Sequence, residues 1–356
     1  MLSPQQVTEL KDEIDHCTKP LIFFDGDNDG LTSFLQLYRY KGDGKGVILK
    51  SKPNLTLEHV RRVEEYGPDK IFVFDVALVD QEFIDAVKVP IYWFDHHGPY
   101  DRTGGHLKYI NSLLWDSTTS PCVMIYQICQ KDLWIAALGA IADHQIPYFW
   151  KEFVTAYPHL AEDRVYNGPF DVRFNTPLGI LIKVFSFNLK GSTTDAMKSI
   201  KIMSRITGPD EILNQETAQG RFLFRKYQAL NKEYEFLRKK ALKAYSKEDP
   251  FFIFKYTENQ TSFTKDLADD LMYHHQDKVI VLAREKEGHY VMSMRTSESG
   301  PVIKDSVERA LVGLEGSGGG HAHACGCKIP QEHFETFISR LREELKMPKK
   351  TSKGKN

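Results

Sequence analysis

Residues 20–30, PLIFFDGDNDG, place carboxylates at Asp25, Asp27 and Asp29 directly behind a short apolar run. Three negative charges within five residues repel one another unless something positive sits among them. The pattern D-x-D-x-D-G opens an EF-hand calcium loop, but that reading fails on two counts. The twelfth position, which needs a bidentate Glu, is Gln36. The preceding Leu21-Ile22-Phe23-Phe24 is a short apolar, aromatic run behind a proline, which predicts a buried strand rather than a helix. A solvated acidic turn is the plainer alternative, and the rest of the chain decides against it.

From residue 20 to about 100, strand and helix patterns alternate. Strands are expected at Leu21–Phe24, Gly46–Lys50, Lys70–Phe74 and Pro90–Phe94, with helices over Leu57–Tyr66 and Asp80–Lys88. Such alternation predicts a parallel sheet with right-handed crossovers, and ligands of open parallel sheets bind beyond the carboxyl ends of the strands. Three strands end there in metal-ligand residues: Asp25-Gly-Asp27-Asn-Asp29, then Asp75, then Asp95-His96-His97. Five carboxylates and two imidazoles at one sheet edge require cations. Mixed carboxylate and imidazole donors suit manganese or a similar ion, whereas oxygen donors alone would lean to magnesium. Two divalent ions bridged by a shared carboxylate would activate water and neutralise phosphoryl oxygens. Asp80 is set apart as the N-cap of the next helix.

The chain as a whole is ordinary for a globular protein: 356 residues, 41% hydrophobic, 27% charged, net charge −1. That length suggests two domains. No apolar run reaches the length of a membrane span, and MLSPQQVTELKDEID lacks the features of a signal peptide. A cytoplasmic protein without membrane association is expected. Five cysteines without C-x-x-C or zinc spacing fit reduced thiols.

Leu113 to Phe153 reads as mostly helical, with Thr119-Ser120-Pro121 a helix start. Gln215 to Lys247 predicts one long helix whose apolar seam is Leu223, Tyr227, Leu230, Tyr234, Leu237 and Ala241. Thr217 to Lys247 carries nine Lys/Arg against two Glu, giving a basic outer face; a homodimeric coiled coil through the seam stays open. Beyond Pro250, strands near Phe251–Tyr256, Lys278–Ala283 and Tyr290–Arg295 precede GSGGGHAHACG, and a helix over Gln331–Lys346 follows. The expected organisation is α/β: a parallel-sheet domain over 1–195, a helical connector over 196–249, a smaller α/β domain over 250–346, and a basic, disordered tail over 347–356. In the glycine-rich segment, Gly318, Gly319 and Gly320 let backbone amides approach an anion, and His321 adds a side-chain donor. Arg295, at a strand end, is a candidate bidentate phosphate ligand.

D-x-D-x-D-G, then Asp75, then Asp95-His96-His97, resembles motifs I to III of the DHH phosphoesterase superfamily. ALGAIADH, Ala137 to His144, resembles motif IV, with Asp143 its aspartate. Gly318–His321, with Ala324 and Gly326 after it, resembles the signature loop of the DHH-associated C-terminal domain. The resemblance runs from about 20 to 345 and is strongest to RecJ-type single-strand exonucleases and their archaeal relatives, here without an OB-fold. It implies metal ligation by Asp27, Asp29, Asp75, His96 and Asp143, with Asp75 the bridge. Asp95 is expected to orient His96, and His97 to contact the scissile phosphate or protonate the leaving oxygen. Related oligoribonucleases and phosphatases open motif I with a His where this chain has Phe23, so Asp25 is expected to fill that part of the metal shell. Two divalent ions, Mn2+ before Mg2+, and a single-stranded DNA, RNA or short oligonucleotide substrate are implied, with replication or repair proteins as candidate partners. The alternatives are an oligoribonuclease, a (cyclic) dinucleotide phosphodiesterase or a nucleotide phosphatase, and outside enzymes a non-catalytic replication scaffold.

Overall fold

Each apolar run that ends in a carboxylate becomes a strand of one parallel sheet. The computed structural model describes residues 1–50, 54–115, 117–257 and 261–347; most of the predicted tail lies outside them. The strands are β1 (Pro20–Asp25), β2 (Lys45–Leu49), β3 (Lys70–Phe74), β4 (Ile91–Asp95) and β5 (Leu107–Asn111). They lie in the order β2-β1-β3-β4-β5, every neighbouring pair parallel. Strand β5 has no counterpart in the sequence reading, because LKYIN has too little apolar content for a buried strand; at the sheet edge it needs less. Helices between the strands are shorter than predicted, Val60–Tyr66 and Gln81–Ala86, the latter with Asp80 at its N-cap.

Side chains alternate across the sheet with a period of two. Ile22, Phe24, Phe72, Phe74 and Phe94 face one buried cluster, while Leu21, Phe23, Ile71, Val73 and Trp93 face the other. A parallel sheet covered on both faces is the arrangement its uniformly apolar strands require. On the first face lie helices α1 (Asn28–Lys41), α2 (Pro121–Cys129) and α3 (Leu133–Ala142), packed against one another. They meet tightly at Gly139, where an added Cβ would come 2.1 Å from Thr32 Oγ1 and 2.9 Å from Cys122 Sγ. Farther along the chain is α4 (Gly168–Asn175).

The chain divides into two compact units, Met1–Gln228 and Ala229–Asn356. The division falls inside α5 (Ala218–Lys243). Ala196, Ile200, Met203, Ile212 and Leu223 are buried in the first unit's core. In the second unit, Tyr234, Leu237 and Ala241 of the seam are buried. Tyr234 donates to Asp270 Oδ2 at 2.5 Å, and Arg238 Nε donates to the same oxygen at 2.8 Å. Arg238 therefore neutralises a buried carboxylate and is not part of a freely basic face.

The second unit holds a mixed sheet of β6 (Phe251–Tyr256), β7 (Val279–Lys286), β8 (His289–Arg295), β9 (Ser317–His321) and β10 (Ala324–Pro330). Their order is β9-β10-β8-β7-β6, with only β6 and β7 parallel. Phe334, Phe337, Ile338 and Leu341 of the last helix, Phe334–Glu344, close its core.

Gly139→Ala is expected to destabilise the first unit by roughly 1–3 kcal/mol, since the helices must part to admit a methyl group. Equilibrium denaturation of Gly139→Ala, Thr32→Ala and the double variant measures this. The double variant should recover part of the loss, and strict additivity would show that the two positions do not press on each other.

Candidate metal centre

The register of the sheet brings the acidic strand ends level. Phe24 pairs with Phe74 and Phe74 with Phe94, so the residues that follow, Asp25, Asp75 and Asp95, form one row; Asp95 pairs in turn with Asn111. Next to that row, Asp27 caps α1, its Oδ1 accepting from the amides of Asp29 (3.1 Å) and Gly30 (3.2 Å). A Cβ on Gly30 would lie 2.6 Å from the carbonyl oxygen of Asp25. The glycine of D-x-D-x-D-G thus serves the strand-to-helix turn, which brings the helix N-terminus and its favourable dipole to the carboxylates.

Asp29 is 1% exposed, and its Oδ1 accepts from the amide of Cys122 at 2.8 Å. Asp143 follows α3 as its C-cap. The Gly139 packing that joins α1, α2 and α3 therefore also sets where Asp29 and Asp143 stand. Asp75 is 3% exposed and holds a left-handed backbone at φ +58°, a conformation costing about 1–3 kcal/mol for a residue other than glycine.

Three overlapping groups present ligand atoms mutually within 4.8 Å: Asp75, His96 and His97; Asp29, His96 and Asp143; and Asp25, Asp27 and Asp75. Asp75 Oδ1 lies 3.3 Å from His96 Nε2 and 3.8 Å from His97 Nδ1, and Asp143 Oδ2 lies 3.5 Å from His96 Nδ1. All seven of these residues were singled out in the sequence. Two buried oxygens, Asp29 Oδ2 and Asp75 Oδ1, have no hydrogen-bond partner. Buried carboxylate oxygens left in this state demand a proton or a cation. The donor set of carboxylates and imidazoles fits divalent ions such as Mn2+ or Mg2+.

Burial raises the affinity of Asp75 for a proton well above the usual carboxylate range, reinforced by the charges of Asp27, Asp29, Asp25 and Asp143. Asp29 is raised likewise, by burial first and then by Asp143 and Asp27. For His97, burial works against protonation, but the bond to Asp95 and the surrounding charges outweigh it, and the net shift is upward.

One expected role changes partner. Asp95, wholly buried, accepts from His97 Nδ1 at 2.7 Å, so it orients His97 rather than His96. Asn111 completes the support: its Nδ2 donates to the His97 carbonyl at 2.9 Å and stands 3.4 Å from Asp95 Oδ2. Neither Asn111 nor the Cys122 amide was picked out from sequence. Asn111 lies on the strand that the composition concealed, and a backbone donor leaves no residue-type signal.

In the second unit, Gly318–His321 form edge strand β9 rather than a loop. An edge strand turns alternate amides away from its partner, and three consecutive glycines leave those amides unshielded by side chains. Arg295 departs further from expectation. It is 7% exposed, its Nε donates to Asp269 Oδ1 at 2.7 Å, and its Nη1 donates to the Met294 carbonyl. Its guanidinium is an internal counter-ion.

Residues 250–347 match the DHHA1 domain. Over the whole chain, the fold of a parallel-sheet unit followed by a mixed-sheet domain is shared with solved structures at low sequence identity. RecJ of Thermus thermophilus, in complex with Mn2+, aligns at TM-score 0.69 and 18% identity over 98% of this chain and 56% of its own. This chain thus spans little more than half of that protein. The Thermus protein is also known in complex with Mg2+. An exonuclease RecJ bound to manganese aligns at TM-score 0.61 and 17% identity, covering 97% of this chain and 94% of its own. PggH of Vibrio cholerae, a pGpG-specific phosphodiesterase, aligns at TM-score 0.50 and 13% identity, covering 92% and 99%. No curated protein matches by sequence. Among the described residues, no helix is long and apolar enough to cross a membrane.

The raised proton affinities fix a pH dependence. Between about pH 4, where an unfolded Asp titrates, and the raised folded values, the folded protein holds protons that the unfolded chain has released. Metal-free stability therefore falls as pH rises through that window, and the raised His97 acts in the same direction. Thermal melts in EDTA between pH 5 and 8 should show this decline. Manganese should raise Tm increasingly with pH, and Asp75→Asn should raise the metal-free Tm at pH 8. A manganese effect independent of pH would contradict the assignment.

Proposed function

We propose that this chain is a metal-dependent phosphodiesterase that releases mononucleotides from one end of single-stranded nucleic acid, a RecJ-like exonuclease. The observation that carries the reading is the level row of Asp25, Asp75 and Asp95, met by His96, His97, Asp27, Asp29 and Asp143. Divalent ions held by Asp25, Asp27, Asp29, Asp75, His96 and Asp143 would supply water activation and neutralisation of phosphoryl charge. Asp75, shared by two of the three ligand groups, is the residue suited to bridging.

His97 acts on the substrate. Asp95 engages its Nδ1 and stabilises the protonated ring, which suits Nε2 to contacting the scissile phosphate or delivering a proton to the leaving oxygen. In the C-terminal domain, the glycine strand and His321 are assigned to holding a phosphate through backbone amides and a ring donor. Arg295 is withdrawn from that set, since its charge is spent on Asp269. Exposed lysines on α5, Lys239 and Lys240, would add only salt-sensitive backbone attraction for longer strands.

The test is a panel of single-stranded DNA, RNA and dinucleotides, labelled at either end, with manganese and magnesium in parallel. Stepwise release of mononucleotides from a long strand is the expected result. Turnover confined to dinucleotides would favour the dinucleotide phosphodiesterase reading, and no hydrolysis with any metal would favour the scaffold. Asp75→Asn should reduce turnover by about 100-fold or more, because two metal positions lose charge together. Retention of near-normal activity would refute the shared-ligand assignment.

A further inference from the structure

Immediately after the candidate ligand Asp143, the backbone of His144 adopts a left-handed conformation at φ +60°. For a residue other than glycine this turn costs about 1–3 kcal/mol, and it presents an exposed imidazole beside the metal centre. The ring lies against Phe170, with centroids 4.3 Å apart and planes tilted by 31°. Phe170 in turn runs parallel to Phe174, at 6.2 Å and 2°. Both phenylalanines are on α4, four residues apart and therefore neighbours on one face. Val172, two positions from each and hence on the opposite side of the helix, is wholly buried and anchors α4 to the core. The two half-exposed aromatic rings thus form the outward side of the helix.

A cation accompanies the rings. The Arg173 guanidinium is centred 5.4 Å from the Phe174 ring, and its Nη1 is 3.4 Å from His144 Nε2. Aromatic faces interleaved with an arginine are the means by which proteins hold unpaired bases without regard to sequence.

We infer that His144, Phe170 and Phe174 form a base-stacking strip for the nucleotides next to the scissile phosphate, with Arg173 beside it. This rests on the phosphodiesterase reading for its substrate, single-stranded nucleic acid. The strip binds bases through their π-faces, so it grips any sequence and gives no hold on an abasic residue. The metal centre acts on the phosphate alone. The strip therefore provides a preference for base-bearing substrate that the metal centre by itself would lack.

The experiment compares a single-stranded oligonucleotide with the same strand carrying tetrahydrofuran abasic residues at its end, in manganese. It uses the wild type, Phe170→Ala, Phe174→Ala and Phe174→Leu. Melting temperature and manganese stoichiometry establish that each variant is folded and metalled. Wild type should prefer the base-bearing end by roughly 10-fold or more, the scale of one lost stack. The alanine variants should lose that preference while their rate on the abasic end stays unchanged. Equal slowing on both substrates, or a preference that survives in both alanine variants, overturns the proposal. Binding of both strands to Asp75→Asn protein, read by fluorescence anisotropy, gives the comparison without turnover. If wild type hydrolyses nothing, the phosphodiesterase reading fails by itself. The strip then stands if base-bearing strand binds tighter through Phe170 and Phe174, and falls if both strands bind alike.

Discussion

Mutual repulsion among carboxylates governs the N-terminal unit. A parallel sheet delivers the ends of all its strands to one edge, and this chain puts an aspartate at three of those ends in level register. Burial intensifies the repulsion, because low surrounding polarity weakens screening. The protein tolerates the arrangement by local means: the α1 N-terminus, the Cys122 amide on Asp29, and the Asp95–His97 bond. Two oxygens remain unsatisfied even so. A fold selected for stability alone would have no reason to collect these groups.

Legibility from sequence followed the range of the interaction concerned. Apolar periodicity and strand-end residues are local signals, and they pointed to the α/β class, four of the five strands of the first sheet, and six of the seven residues gathered around Asp75 and His96. The seventh, Asp143, came only from the resemblance of ALGAIADH to a family motif. Where a pairing was decided by tertiary placement, the sequence was silent or misleading. Asp95 adjoins His96 in sequence, yet its hydrogen bond goes to His97, whose carbonyl Asn111 holds. Arg295 and Arg238 read as cations available to a polyanion, yet each meets an aspartate of the helix Thr264–His274. Both of those aspartates lie within a run, KDLADDLMYH, that looks like the polar side of an amphipathic helix. The triple glycine read as a loop because glycine disfavours strands; pairing with Ala324–Cys327 overrides that preference.

The two units divide the chemistry differently. In the first, charges are buried and supported by hydrogen bonds from strand ends and helix termini. In the second, three internal pairs hold charged groups that are wholly or largely buried, Arg295–Asp269, Arg238–Asp270 and Arg342–Asp249. Its candidate phosphate contact is instead an exposed backbone edge. A backbone edge binds through geometry and changes little with pH, whereas the buried carboxylates of the first unit respond to protonation.

The strand order β2-β1-β3-β4-β5 also has a bearing on biosynthesis. Strand β2 docks on β1, β3 then takes the other edge of β1, and β4 and β5 each dock on the strand laid down before them. No strand has to be inserted between two that are already paired, so the sheet grows outward as the ribosome releases it, at about 5–20 residues per second. Asp25, Asp75 and Asp95 then join the row one at a time. Asp143 arrives only after α2 and α3 have emerged to lock Asp29 in place. The nascent chain thus meets its full electrostatic burden last, when most of the apolar surface that offsets it is already buried.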